Sequence, residues 1–345
     1  MSHKIKSRWK LILNIITLVA LAITVYALRD QIAESLDNLG RVNAWALLLM
    51  FPLQFLNYHA YTNQARSLFK ILGENLRYKP MFRTMLELNF VNNVFPSGGV
   101  TGLSYFSIRM KDAKVSTSKS SLVYLFRFVL VFISFQILLA LGLIMLAIDG
   151  KASGFILLIG GSLATLILIG TVAIAYIIGD KKRINSFFVA LTKGLNKLIH
   201  VIRPKHPETI NVMKVRKLFD ELHDDYLVIR KDYKALKMPL FWSLMASFSE
   251  VATIYVVYIA FGAWVNPGAV ILAYAVANFA GFVSVLPGGI GIYEALMTAT
   301  LAASGVSAAV SIPVTVMYRI LNMAIQLPPG YYFYHKKLRA NNPSS

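Results

Sequence analysis

From Ser120 to Ile148 the chain runs 29 residues with a single charged side chain, Arg127, and from Ala152 to Ile178 it runs 27 with none. A helix needs about 20 apolar residues to cross a bilayer, and inside hydrocarbon every backbone N–H and C=O has to be satisfied by the protein itself. The two runs therefore predict an all-α polytopic membrane protein. Four more of the same kind, Trp9 to Leu28, Ala44 to Tyr61, Met238 to Gly262 and Val306 to Tyr334, bring the expected full crossings to six. The first follows a basic start but is long for a signal peptide and lacks a small-residue cleavage site, so it reads as a retained helix. With no cysteine in the chain, disulfides, thiolate metal sites and cysteine lipidation are excluded.

A net charge of +19 raises nucleic acid as a partner, and the placement of the charge argues against it. With the N-terminus in the cytoplasm, 30 of the 35 basic residues fall on cytoplasmic segments, 14 of them in the loop from Lys181 to Lys237. That is the positive-inside pattern of an integral membrane protein with both termini cytoplasmic. The whole chain, 1–345, reads as one transmembrane domain with a cytoplasmic helical loop at 180–237. In that loop Ile184, Phe187, Phe188, Leu191, Leu195, Leu198 and Ile202 recur at helical spacing beside lysines and arginines. A second helix carries Val215, Leu218, Phe219, Leu222, Tyr226 and Ile229. A surface-docked helical hairpin is expected there, with a partner-binding module as the alternative.

The charge map closes only if two regions, Pro80 to Met110 and Gly268 to Ala303, enter and leave on the same side. Both are interrupted, by NNVFPSGGVTG (Asn92 to Gly102) and by NFAGFVSVLPGGIG (Asn278 to Gly291). Proline removes a backbone donor and glycine loosens a helix, a combination a plain spanning helix has no use for. Pro96, Gly98, Gly99 and Gly102 mark the first break, and Pro287, Gly288, Gly289 and Gly291 the second. Arg127 follows Pro96 by 31 residues and Arg319 follows Pro287 by 32. The pattern predicts two repeats, about 44–148 and 238–334, inserted in opposite orientations and each built around a re-entrant broken hairpin. Transporters use this arrangement to bring half-helix ends to a site near the midplane.

Glu87, Arg127, Glu250, Glu294 and Arg319 lie within apolar segments, where a lone charge costs about 2.5 to 3.5 kcal/mol at the bilayer centre. From depth along the helices at about 1.5 Å per residue, Glu87 is expected beside Arg127, and Glu250 and Glu294 beside Arg319. Glu294 also opens the helix after the second break, where a carboxylate favours the helix dipole. Asn89, Asn92, Asn93 and Asn278 are candidates to bond freed backbone groups or a head group. The six histidines are scattered, and no metal or cofactor is expected. With no GxSxG, Walker A or dinucleotide fingerprint, ATP hydrolysis and familiar soluble catalysis lack support.

The motifs NNVFPSGGVTGLSYFSIRM and LPGGIGIYEALM make the chain resemble the lysylphosphatidylglycerol synthase transmembrane-region family of flippase-like proteins, over roughly Trp9 to Tyr334. The resemblance carries Pro96, Gly98, Gly99, Gly102 and Arg109 in the first motif and Pro287, Gly288, Gly289, Gly291 and Glu294 in the second. It implies a prokaryotic plasma-membrane protein that moves a polar, anionic or aminoacylated lipid between leaflets. With the chain ending at Ser345, the soluble aminoacyltransferase domain is not expected. On that footing Arg319 and Arg127 would contact phosphate and Glu294 would balance charge in a chamber between the breaks, in a downhill or ion-coupled carrier. The alternatives are a membrane anchor for a separate synthase or glycosyltransferase at the cytoplasmic loop, a lipid-modifying transferase with Glu87 or Glu294 as base, and an ion exchanger using Glu250 and Glu294.

Overall fold

A computed structural model describes residues 42–95, 100–150, 153–186, 212–283 and 291–340, with isolated positions at 26, 29, 30, 33, 40 and 189. Among the described residues the elements are helices throughout. They are α1 (Ala44–Leu47), α2 (Met50–Ile71), α3 (Tyr78–Val94), α4 (Val100–Asp112), α5 (Thr117–Ile148), α6 (Gly154–Ile178) and α7 (Val212–Lys231). A 3-10 turn (Tyr233–Leu236) leads into α8 (Lys237–Ala260), which is followed by α9 (Pro267–Val283), α10 (Ile292–Ala303) and α11 (Ala308–Ala340).

Local chemistry explains where several begin. Asn43 accepts from the N–H groups of Trp45 and Ala46 to cap α1, and Ser116 accepts from the Lys119 N–H to cap α5. Pro80, Pro239 and Pro267 occupy first turns, where a missing N–H costs nothing.

Four helical stretches are long and apolar enough to cross a membrane: Thr117–Ile148, Gly154–Ile178, Tyr233–Ala260 and Ala308–Lys337. Large apolar side chains on α6, such as Phe155, Leu158 and Ile169, lie exposed, as a helix facing lipid requires. The protein is therefore an integral membrane protein. Of the six expected crossings, Trp9 to Leu28 falls almost wholly outside the described residues. Ala44 to Tyr61 is helical, as α1 and α2, yet it is not among the four. The polar residues Gln54 and Asn57, both buried, lower its hydropathy while facing protein.

The two interrupted regions are each a pair of short helices, α3 with α4 and α9 with α10, packed against each other. At 17 and 13 residues, and 17 and 12, none of the four reaches the roughly 30 Å hydrocarbon thickness alone. Residues 96–99 and 284–290, which include Pro96, Gly98, Gly99, Pro287, Gly288 and Gly289, lie outside the described residues.

Packing between the halves is reciprocal. The long helices α2 and α8 pack along each other. Beside them α3 packs on α11, the last helix of the second half, while α9 packs on α5, the last helix of the first. Both exchanged contacts close on glycine. A β-carbon at Gly330 of α11 would come within 2.6 Å of the Leu86 carbonyl oxygen on α3. One at Gly268, in the first turn of α9, would overlap the Gly142 carbonyl oxygen of α5. The larger apolar core joins α5, α6, α8, α9, α10 and α11.

The second loop helix, α7, is docked on protein. It buries Leu222 and Ile229, Asp225 accepts from the Ser118 hydroxyl at 2.6 Å, and Asp220 accepts from the Asn185 amide at 2.6 Å. The first loop helix, expected to run to Ile202, lies mostly outside the described residues.

Candidate functional site

The polar residues inside the bundle form three groups, and the first corrects an expectation. Glu87 on α3 does not meet Arg127. Its carboxylate is taken by Arg109 of α4, with Nη2 3.0 Å from Oε1, and it also accepts from the Tyr105 hydroxyl at 2.8 Å. Positions 102 and 109 of α4 lie against 92 and 87 of α3, so the two helices run antiparallel and bring the pair together across a single interface. Depth alone ignored that shorter path. Glu87 is 2% exposed and fully engaged. Arg109 continues to Asp112 at 3.1 Å, and Asp112 to Lys337 of α11 at 3.0 Å, so this group ties the first helix pair to the second half.

Arg127 is thereby left with no acidic side chain in ion-pair range among the described residues. Its guanidinium lies 5.4 Å from the Tyr61 ring centroid, and Nε donates to the Gln64 side-chain oxygen at 3.3 Å. That bond turns the Gln64 amide nitrogen away, and this nitrogen is buried with no hydrogen-bond partner. Arg127 lines a cavity of about 220 Å³ together with Tyr61, Asn89, Asn92 and Tyr124. Gly102 keeps the wall of this cavity thin, because a β-carbon there would overlap the Asn92 side-chain oxygen and come 2.5 Å from the Tyr124 hydroxyl. Met85, Leu88, Phe128 and Val131 supply apolar wall to the same cavity, and an arginine lining it is suited to an anion.

The second group is Glu294 and Arg319. Gly291 precedes α10 at φ 84°, a left-handed conformation that only glycine adopts readily. Its N–H donates to Glu294 Oε2 at 2.7 Å, and Arg319 Nε donates to Oε1 at 3.0 Å. The carboxylate is thus both a helix cap and an ion-pair partner. Arg319 also stacks at 4.4 Å on Tyr293.

Glu250, expected to join that pair, belongs instead to a third group. Oε1 accepts from the Tyr318 hydroxyl at 2.5 Å and the Asn322 amide at 2.9 Å, while Oε2 accepts from Asn57 at 3.1 Å and Gln54 at 3.4 Å. Behind these, Gln326 donates to Gln54 at 2.7 Å and to Asn322 at 3.1 Å, and Asn89 donates to Gln326 at 2.9 Å. Asn93 in turn donates to Asn89. Sequence reasoning missed Gln54, Asn57, Tyr318, Asn322 and Gln326. The signal was present, since Tyr318, Asn322 and Gln326 repeat every four residues along one face of α11. Asn278 stands apart, with its amide donating to the Tyr274 carbonyl one turn back. Among the described residues no three His, Asp or Glu side chains gather as a metal site.

The family model described as the lysylphosphatidylglycerol synthase TM region matches residues 12–330. A curated relative, the UPF0104 membrane protein MJ1595 of Methanocaldococcus jannaschii, is 22% identical over 333 residues, covering 95% of each chain.

Proposed function

The chain belongs to the lysylphosphatidylglycerol synthase transmembrane-region family, and on that premise we propose that it is a flippase-like carrier moving a polar, anionic or aminoacylated lipid between leaflets. The observation that carries this reading is Arg127. A cation with no carboxylate partner among the described residues, lining a cavity with both polar and apolar walls, is suited to receive phosphate. Asn89, Asn92 and Tyr124 supply further polar contacts on the cavity wall, and the acyl chains stay in the bilayer. Glu87, Glu294 and Arg319 hold the two helix pairs in place around that head-group site.

The reciprocal packing of α3 on α11 and α9 on α5 supports two oppositely inserted repeats, with each short helix pair re-entrant and the described crossings joined by α2 and the segment before it. Alternating access is then a rocking of one repeat against the other. The basic loop supports a cytoplasmic side for both termini, in what the reading takes to be a plasma membrane.

The test is leaflet exchange of labelled phosphatidylglycerol, lysylphosphatidylglycerol and phosphatidylethanolamine in proteoliposomes. Native protein should exchange at least one of them, and Arg127→Gln should lose that exchange while keeping its melting temperature. Exchange that is indifferent to Arg127→Gln overturns the assignment of the site. A second reading, a membrane anchor for a separate lipid-modifying enzyme, draws on the docked α7. It requires that substitutions on the exposed face of α7 release a bound enzyme without touching lipid exchange.

A further inference from the structure

Glu250 is the acidic side chain in the described membrane helices that the head-group site and the ion pairs do not use. Four neutral donors converge on its carboxylate, two on each oxygen. No basic group lies in ion-pair range of it among the described residues. An ionised carboxylate can only accept, so it obliges Gln54 and Asn322 to present their NH2 groups. Their side-chain oxygens must then face Gln326, which donates to both, and the Gln326 oxygen faces Asn89, which donates to it. Asn93 donates to Asn89. Every bond in this chain points the same way, toward Glu250. It runs from the last turn of α3, through α11 and α2, to α8.

Other titratable groups near Glu250 come from each neighbouring helix. Tyr58 and Tyr61 lie on α2, Tyr274 on α9, Tyr293 on α10, and Tyr318 and Arg319 on α11. The tyrosines are neutral hydroxyls at physiological pH, and Arg319 is bonded to Glu294. Arg127 of α5 stacks on Tyr61. α1 has no titratable side chain, and the 3-10 turn lies about 20 Å away along α8. Glu250 is half-buried.

We infer that Glu250 is a proton-binding site whose occupancy is transmitted along the amide chain to the end of α3, which makes this family member a proton-coupled carrier. Uptake of one proton from hydronium onto a carboxylate oxygen forms one O–H bond there, breaks one in hydronium to leave water, and breaks none in the protein. That oxygen becomes a donor, and one of its four partners must offer an acceptor instead. If Asn322 or Gln54 turns its amide, its NH2 meets the NH2 of Gln326 and the chain behind it must turn as well. Asn89 loses its bond to Gln326 and Asn93 its bond to the Asn89 side chain near the end of α3, while Asn89 keeps the Tyr58 hydroxyl and Asn93 the Asn89 carbonyl; Asn89 also lines the Arg127 cavity. The lipid-carrier reading supplies the cargo, while the proton site stands on this geometry.

The experiment measures the pH dependence of hydrogen exchange at residues 89–94 in native protein, Glu250→Gln and Gln326→Leu, alongside infrared detection of the protonated carboxyl. In native protein, protonation should appear as a carboxyl band absent from Glu250→Gln and should speed exchange at 89–94 about tenfold, the equivalent of one lost hydrogen bond. Gln326→Leu, which cuts the chain and leaves Glu250 in place, should retain the band and lose the pH response of α3. A native band without a response in α3, or the same response in Glu250→Gln, overturns the proposal. Exchange of lipid that ignores a proton gradient also overturns it and leaves the carrier reading intact. A pH-coupled α3 in a protein that exchanges none of the lipids leaves the proton site standing and removes the carrier.

Discussion

Arg127 and Arg319 follow their respective helix breaks by 31 and 32 residues, and by sequence they look like equivalent members of two repeats. Their surroundings are opposite. Arg319 is bonded to Glu294 and stacked on Tyr293, with 12% of its side chain exposed. Arg127 stacks on Tyr61, donates to a neutral amide and faces a cavity. The same residue type at a matching distance from its sequence break serves as a fastener in one case and an open contact in the other. Under the carrier reading proposed above, that difference leaves one place where charge is still available to cargo.

The largest effect that tests this contrast is on Arg319. Its loss leaves Glu294 nearly buried and without its ion pair, a situation that costs about 3 to 5 kcal/mol when one partner of a buried pair is removed. Arg319→Ala should therefore unfold at markedly lower temperature in detergent, and the double variant Arg319→Ala/Glu294→Gln should recover much of the loss. A single variant as stable as native protein would end the description of Arg319 as a fastener.

Arg127 should behave in the reverse way. Truncation leaves no carboxylate stranded, so stability should change little, while a lost charged hydrogen bond to phosphate, worth about 1.5 to 3 kcal/mol, should slow lipid exchange roughly 10- to 100-fold. Arg127→Lys should recover part of the rate, because lysine keeps the charge and loses the fork geometry. A large fall in melting temperature for Arg127→Ala would erase the difference between the two arginines.

Gly102 offers a smaller and more local test. A β-carbon there meets the ends of Asn92 and Tyr124, side chains that can swing away, and no backbone atom is among its three nearest neighbours. Gly102→Ala should fold, since the displaced groups face the cavity, yet slow exchange several-fold by filling the head-group space. A loss of folding would place Gly102 in the framework of the helix pair instead.

How much of this was legible beforehand follows from which forces act over short sequence distances. Helix positions came through well, because the apolar runs and the prolines of first turns are local; α5, α6 and α8 begin and end within a few residues of the expected bounds. The Glu294–Arg319 pair was also legible, since α10 and α11 are consecutive. The Glu87–Arg127 pairing failed because depth along a helix says nothing about azimuth, and Arg109, counted with the cytoplasmic charges, turned out to reach Glu87 across an antiparallel interface. The Glu250 chain was invisible to a search for charges. Its members are neutral amides on three helices, α2, α3 and α11, and what unites them is an acceptor on a fourth that forces their direction.

The smallest effect lies outside the membrane and separates the docked loop from the site. Burial pushes the Asp225 carboxyl up, with Ser118 and Lys119 opposing and Glu221 and Asp224 adding to the rise. A carboxyl raised in the folded state costs docking energy at any pH above its unfolded value, in full above its folded value, and costs nothing once both states are protonated. Acidification through that window should therefore strengthen the docking of α7. Asp225→Asn, whose side-chain oxygen can still accept from Ser118, should match native protein at low pH and protect α7 slightly better at neutral pH. With Asp225 partly exposed, solvent screening keeps the gain well below about 1 kcal/mol. Hydrogen exchange within α7 at the two pH values reads it, and lipid exchange should not move. A variant that loosens α7 at neutral pH would mean that the Asp225 charge holds the loop down, contrary to the sign derived from its burial.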